Sequence, residues 1–252
     1  MNDVKRIERI VVFGATSGIA QACLRLWVAR GAREVTLAGR SAPGLERVAA
    51  DLRARGEVSV TVAELDVADA GAVEALLDRV VAAGPVDVAL VAFGTLPDQV
   101  ALQTDPGRTR DALEVNGVHP VVLAEQVVTR MVAADHGTLC VLGSVAGDRG
   151  RRSNYLYGSA KSMVATALRG MQHRLATSNV QVVLVKPGPT ETPMTAHLAG
   201  GETKLAPVAD VAEAVVDGVA RGDRVVYAPA RWRLVMAVVR SIPDRVFDHL
   251  DI

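Results

Sequence analysis

A chain of 252 residues that is 50% hydrophobic can fill one folded core, and that apolar fraction excludes intrinsic disorder. Its 28 basic residues balance 28 acidic ones, which argues against a nucleic-acid binder, since those carry a basic excess. Aromatics are only 3%, so Ala, Val and Leu must build the interior.

Lysines number four (Lys5, Lys161, Lys186, Lys204), so a lysine inside a motif is less of a chance event. Two cysteines, Cys23 and Cys140, cannot make a disulfide framework; they fit a reducing compartment and buried positions. The five histidines show no metal-ligand spacing, so no metal is expected. Asp3, Lys5, Arg6, Glu8 and Arg9 interrupt the start, so no signal peptide is expected. No apolar run reaches the ~18 residues of a membrane span. The expectation is a cytoplasmic protein, with peripheral contact to a membrane, or a place on its periplasmic face, left open.

Short Val/Ile/Leu runs at residues 10–13, 34–38, 59–65, 86–92, 138–142, 180–185 and 225–227 read as strands. Ala-rich amphipathic stretches between them, such as 18–30, 44–55, 70–83 and 156–177, read as helices. Continuous apolar strands alternating with helices predict an α/β fold: one Rossmann-type doubly wound parallel sheet of about seven strands, covered on both faces. No repeat or linker breaks the chain, so residues 1–252 read as a single domain.

After the first strand comes Gly14-Ala15-Thr16-Ser17-Gly18-Ile19-Ala20. Glycines let the backbone turn sharply and approach a pyrophosphate, and the following helix offers free N–H groups and a positive dipole end. The second strand ends in Ala38-Gly39-Arg40. An NAD site commonly has an acid here for the adenosine ribose; none is present. Arg40 could instead pair with a 2′-phosphate, which favours NADP(H) over NAD(H), or it is a solvated loop charge. Ser144 follows the fifth strand, and Tyr157 and Lys161 lie four apart on one face of the next helix. A nearby ammonium is expected to lower the tyrosine pKa toward neutrality, making an acid for a carbonyl oxygen. The Ser144 hydroxyl could bond the same oxygen. Residues 187–207, rich in Pro, Gly and Thr, read as a substrate lid. The tail, residues 229–252, holds Arg231-Trp232-Arg233-Leu234-Val235-Met236-Ala237-Val238-Val239-Arg240. It suits an interfacial helix that inserts Trp232 into a membrane, or a helix buried between subunits.

These motifs, with Asp66, Asn116 and Pro187-Gly188 followed by Thr192, resemble the short-chain dehydrogenase/reductase family over nearly the full length. The resemblance implies a seven-stranded Rossmann sheet and a homodimer or homotetramer. It implies NAD(P) contacts from Gly14, Thr16, Ser17, Gly18, Ile19, Arg40, Asp66, Val67, Gly94, Tyr157, Lys161, Pro187, Gly188, Thr190 and Thr192. Asp66 would meet the adenine, Lys161 the nicotinamide ribose and Thr192 the carboxamide. The implied catalytic set is Asn116, Ser144, Tyr157 and Lys161, with Asn116 holding a water in the proton relay. Asn116 as a helix bend and Asp66 as a helix cap are the plainer alternatives. The chain departs from the family pattern at Phe13, where a Thr is usual, at Ala92-Phe93-Gly94, where Asn-Ala-Gly is usual, and at Ala20, the third glycine of the loop.

Residues 91–94, 151–158, 195–198 and 228–243 further resemble those members of the family that reduce a polyprenyl-phosphate-linked keto-pentose. That resemblance implies reduction of C2 to the arabinofuranose donor of cell-wall arabinan, beside a flavin oxidase partner, and it leans toward NADH, against Arg40. A lipid phosphodiester needs cations. Arg149, Arg151 and Arg152 precede Tyr157, and Arg151 and Arg152 are the expected phosphate ligands; a solvated loop or a subunit salt bridge is the alternative. A reductase of a soluble ketone, sugar or acyl-thioester is a second functional expectation. A non-catalytic dinucleotide sensor is a third, and intact Ser144, Tyr157 and Lys161 count against it.

Overall fold

The computed structural model describes residues 6–198, 200 and 204–250. The apolar runs form β1 (Arg9–Phe13), β2 (Glu34–Gly39), β3 (Ser59–Glu64), β4 (Val88–Val91), β5 (Thr138–Leu142), β6 (Gln181–Pro187) and β7 (Val225–Ala228). All pair in parallel, in the order β3-β2-β1-β4-β5-β6-β7. The winding direction reverses between β1 and β4, and open sheets of this kind bind ligands at the strand carboxyl ends beside such a switch.

Between the strands lie α1 (Gly18–Ala29), α2 (Ala42–Arg53), α3 (Ala70–Ala82), α4 (Gln99–Thr104), α5 (Pro106–Leu113), α6 (His119–Ala133), α7 (Tyr155–Arg174) and α8 (Val208–Arg221). Two more, α9 (Arg231–Ser241) and α10 (Asp244–Phe247), follow β7. Side chains alternate across the sheet, so each strand feeds two cores. Val12, Leu37, Leu90 and Val183 pack against Leu24 and Trp27 of α1 and Val215 of α8. Val11, Phe13, Leu139 and Leu184 pack against Leu76, Leu123 and Leu168 of α3, α6 and α7. Cys23 and Cys140 are buried thiols in the first core, as expected.

The expected strand at 86–92 is shorter, Val88–Val91, and Asp87, just before it, caps its neighbours. Its carboxylate accepts the Glu8 and Arg9 N–H groups at 2.8 Å each, and His136 lies 2.7 Å from its other oxygen. Part of the lid, residues 199 and 201–203, lies outside the described residues, as do residues 251–252 of the tail. The described part of residues 187–207 contains a 3₁₀ turn at Pro193–Leu198.

Candidate active site

The glycine loop sits at the switch point. Gly14 has φ +81°, and a Cβ there would stand 2.6 Å from the Phe93 backbone nitrogen. Only glycine meets both demands. The departures at Phe13 and Phe93 both place apolar side chains on the second core, Phe13 within it and Phe93 packed against it. Ala20 is fully buried, its methyl absorbed where α1 meets the sheet. Ser17 precedes α1 and makes no side-chain cap, which leaves N–H groups of the first turn for an anion. Thr16 lies against Gly44, and Thr192 of the lid lies 3.2 Å from where a Gly18 Cβ would be. The glycine loop and the Thr192–Pro193 segment therefore face each other.

Arg40 is exposed just past β2 and has no ion pair among the described residues. Asp66 is exposed and accepts the Ala68 N–H at 3.0 Å; the cap of α3 is Asp69, not Asp66, through Ala72 N–H at 3.0 Å. Val67 packs on the second core. Thr190 is buried and donates to the Gly188 carbonyl at 2.9 Å.

α7 brings Tyr157 and Lys161 to Ser144 because two glycines permit the approach. A Cβ on Gly158 would stand 2.8 Å from the Ala146 carbonyl oxygen, and one on Gly147 2.7 Å from the Lys161 carbonyl carbon. The 3₁₀ turn Val145–Asp148 therefore lies directly on α7, with Ser144 as its cap. Lys161 is buried, and its ammonium donates to the Leu142 carbonyl at 3.1 Å. Asn116 is buried in a π-helical turn, Glu114–Val118, an irregularity often found at functional sites. Its carboxamide accepts the Thr95 N–H at 2.9 Å and donates to Thr95 Oγ1 and the Ala112 carbonyl. A Cβ on Gly94 would come within 2.8 Å of Asn116 Oδ1 and 3.7 Å of Lys161 Nζ. Asn116 and Lys161 thus flank one glycine.

Burial pushes the Lys161 ammonium down to about 8. Tyr157 departs from expectation: burial pushes its phenol up to about 12, against the opposing hydrogen bond from Ser144. The cause is desolvation of the phenolate; the Lys161 ammonium, 5.7 Å from the Tyr157 ring centroid and bonded to the Leu142 carbonyl, does not reverse it. A phenol held protonated is the form that can donate to a carbonyl oxygen.

Four residues at the site escaped the motif analysis. Lys186 bonds the Asp148 carboxylate, whose other oxygen accepts the Tyr227 hydroxyl at 2.8 Å. Gln99 accepts the Leu156 N–H at 3.1 Å and so caps α7 where Asn154 does not. The scarcity of lysine and the place of Lys186 next to Pro187 were the only sequence signals for the first group.

The arginine cluster divides. Arg149 donates to the Val239 and Ile242 carbonyls at 2.7 and 2.5 Å, pairs with Asp244 and lies 3.7 Å over the Phe247 ring. Arg152 donates to the Asp248 and Leu250 carbonyls at 3.3 and 2.8 Å. Both hold the tail, which corrects the expectation that Arg152 is free for a phosphate. Arg151 has no hydrogen bond or ion pair from its guanidinium among the described residues, and its Nε is buried. Trp232 does not point away from the protein: a Cβ on Gly188 would stand 1.9 Å from Trp232 Nε1, so the indole covers the Pro187-Gly188 bend.

Partly buried Ser144 and Tyr157, with buried Lys161, stand beside a glycine loop at the switch point, the arrangement expected of a dinucleotide-dependent carbonyl or alcohol site. The profile of the short chain dehydrogenase family matches residues 8–203, and the chain belongs to the short-chain dehydrogenase/reductase family. It is 37% identical to an uncharacterized oxidoreductase of Streptomyces coelicolor, covering 96% of this chain and 95% of that one. It is 34% identical to the cis-4-hydroxycyclohexanecarboxylate dehydrogenase of Sinomonas cyclohexanicum, over 76% of this chain and 77% of that one. A short chain dehydrogenase from Burkholderia cenocepacia, solved in complex with NADP, superposes with TM-score 0.83 at 20% identity, covering 98% of both chains. The protein is an NAD(P)-dependent oxidoreductase with the expected α/β sheet.

Proposed function

We propose that this oxidoreductase uses NADPH to reduce the 2-keto group of a polyprenylphosphoryl-linked pentofuranose to the arabinofuranose. The observation that carries the reading is Arg151: a partly buried guanidinium six residues before Tyr157, with no carboxylate paired to it among the described residues. Burial of an unpaired cation is unfavourable, and its pKa is lowered by that burial. An anionic substrate group relieves this penalty. Arg40, exposed at the end of β2, is the residue we assign to the 2′-phosphate, and the Burkholderia relative in fold holds NADP.

Bound NADPH supplies the hydride. Tyr157 gives its phenolic proton to the ketone oxygen, and Ser144 hydrogen-bonds that oxygen as charge develops on it. Lys161, with Asn116 beside Gly94, returns a proton to Tyr157.

A second reading is favoured by the Sinomonas relative: a soluble ring ketone whose carboxylate meets Arg151. Both readings need an anion; they differ in the lipid. The deciding experiment offers the enzyme the oxidised polyprenylphosphoryl pentose and, in the reverse direction, cis-4-hydroxycyclohexanecarboxylate, each with phosphorylated and unphosphorylated cofactor. Turnover of the lipid-linked ketone with NADPH, with KM raised at least about tenfold by Arg151→Ala, is the expected result. Turnover of the soluble acid alone overturns the first reading in favour of the second.

A further inference from the structure

The C-terminal helices turn an apolar face outward. On α9, Trp232, Met236 and Val239 face the protein, with Met236 buried. The opposite side carries Leu234 and Val238, one helical turn apart, exposed by 72% and 55%, with Val235 at its margin, exposed by 40%. On α10, Val246 is exposed by 52%. Arginines surround these residues: Arg231 and Arg233 bracket the stripe, Arg240 stands at the end of α9 and Arg245 on α10. Against these four arginines stand, among the described residues, Asp244, already paired with Arg149, and Asp248. An ordinary surface helix places its charges outward and its leucines inward; here large aliphatic side chains take the outer position between cations.

We propose that α9 and α10 dock on an anionic lipid surface, with Leu234, Val238 and Val246 entering the headgroup boundary and the arginines meeting lipid phosphates. Charge complementarity favours lipid over a second copy of the chain. A two-fold contact through this face would set the arginine rim of one protomer against that of the other. An anionic membrane instead meets both the cations and the apolar stripe. Among the described residues no helix is long and apolar enough to cross a membrane, so the contact is peripheral.

The surface is joined to the candidate active site. Trp232, two residues before Leu234, covers Gly188, and Arg149 ties the end of α9 to the turn that begins at Ser144. Docking would hold the mouth of the site at the membrane. That purpose rests on the lipid-linked substrate proposed above; the docking itself rests on this surface.

The test sediments the full-length protein with vesicles of phosphatidylglycerol and phosphatidylcholine in equal parts, and with phosphatidylcholine alone. Wild type should bind the anionic vesicles and lose binding at high salt. Leu234→Glu/Val238→Glu and, separately, Arg231→Glu/Arg233→Glu should each weaken binding at least about tenfold, with thermal melting unchanged. Wild type that stays in solution, or variants that bind equally, overturn the proposal. So does a wild type that ignores vesicles while Leu234→Glu/Val238→Glu splits a dimer in light scattering, for then the face belongs to a second copy. Reduction of the lipid-linked ketone in detergent by a protein that ignores vesicles overturns docking alone. Vesicle binding without turnover of that ketone upholds docking and defeats the proposed substrate.

Discussion

Lys186 and Asp148 form an ion pair shut away from water, with side chains exposed by only 11% and 2%. The pair ties the end of β6, just before Pro187-Gly188, to the turn that begins at Ser144. Tyr227 closes the group from β7 by donating to Asp148, and burial with the adjacent carboxylate pushes its phenol up to about 12. Removing one charge leaves the other buried and alone. Lys186→Met should destabilise the protein by about 3–5 kcal/mol and lower kcat. Lys186→Met with Asp148→Asn should recover much of that stability. Denaturant unfolding of the single and double variants measures both effects; a single variant as stable as wild type would falsify the buried-pair account.

The two shifted groups of the site set a pH dependence. Lys161, lowered to about 8, keeps its proton below that pH and gives it up above. Tyr157, raised to about 12, stays protonated throughout. Reduction needs the protonated relay, so kcat should be level below pH 8 and fall as pH rises beyond it. The oxidation direction should show the opposite slope. A pH-rate profile at saturating substrate and cofactor checks this; a level profile for reduction up to pH 9.5 contradicts it.

Chemistry and cofactor binding should separate at Tyr157. Tyr157→Phe removes the acid while keeping the ring, and a loss of about 10²–10⁴ in kcat is expected. Cofactor affinity, read from nucleotide fluorescence, should change little. Full activity in this variant would remove Tyr157 from the mechanism.

Close packing makes Gly147 a sensitive position. Gly147→Ala forces a methyl against the Lys161 carbonyl and must push α7 off the Ser144 turn. A stability loss of about 1–3 kcal/mol should accompany a fall in kcat larger than any rise in the cofactor KM. Wild-type melting and kinetics would show that the turn can move without consequence.

Arg40 should act on one cofactor only. Arg40→Ala should raise the KM for NADPH at least about tenfold and leave that for NADH within a factor of about three. Equal effects on the two would return Arg40 to the status of a solvated loop charge.

Much of this was legible from local patterns. Seven apolar runs foretold the strands, and the Gly14–Ala20 loop foretold its place between β1 and α1. The Tyr157 and Lys161 spacing foretold a shared face on α7. These features depend on neighbours a few residues away, which periodicity and turn chemistry encode directly. Contacts between distant segments were not legible. Arg152 looked like a phosphate ligand but reaches carbonyls 96 and 98 residues later. Trp232 looked suited to a membrane but lies on Gly188, which has no side chain to keep it away.

By itself, the amino-acid sequence determined the sheet, the place of the Gly14–Ala20 loop between β1 and α1, and the shared helix of Tyr157 and Lys161. Tertiary structure alone decided which cations are spent and which are free, because an arginine's role depends on what the fold sets within 3 Å of it. It also decided the direction of the Tyr157 shift. Desolvation and the 5.7 Å between Lys161 Nζ and the Tyr157 ring centroid follow from packing and cannot be read from a four-residue spacing.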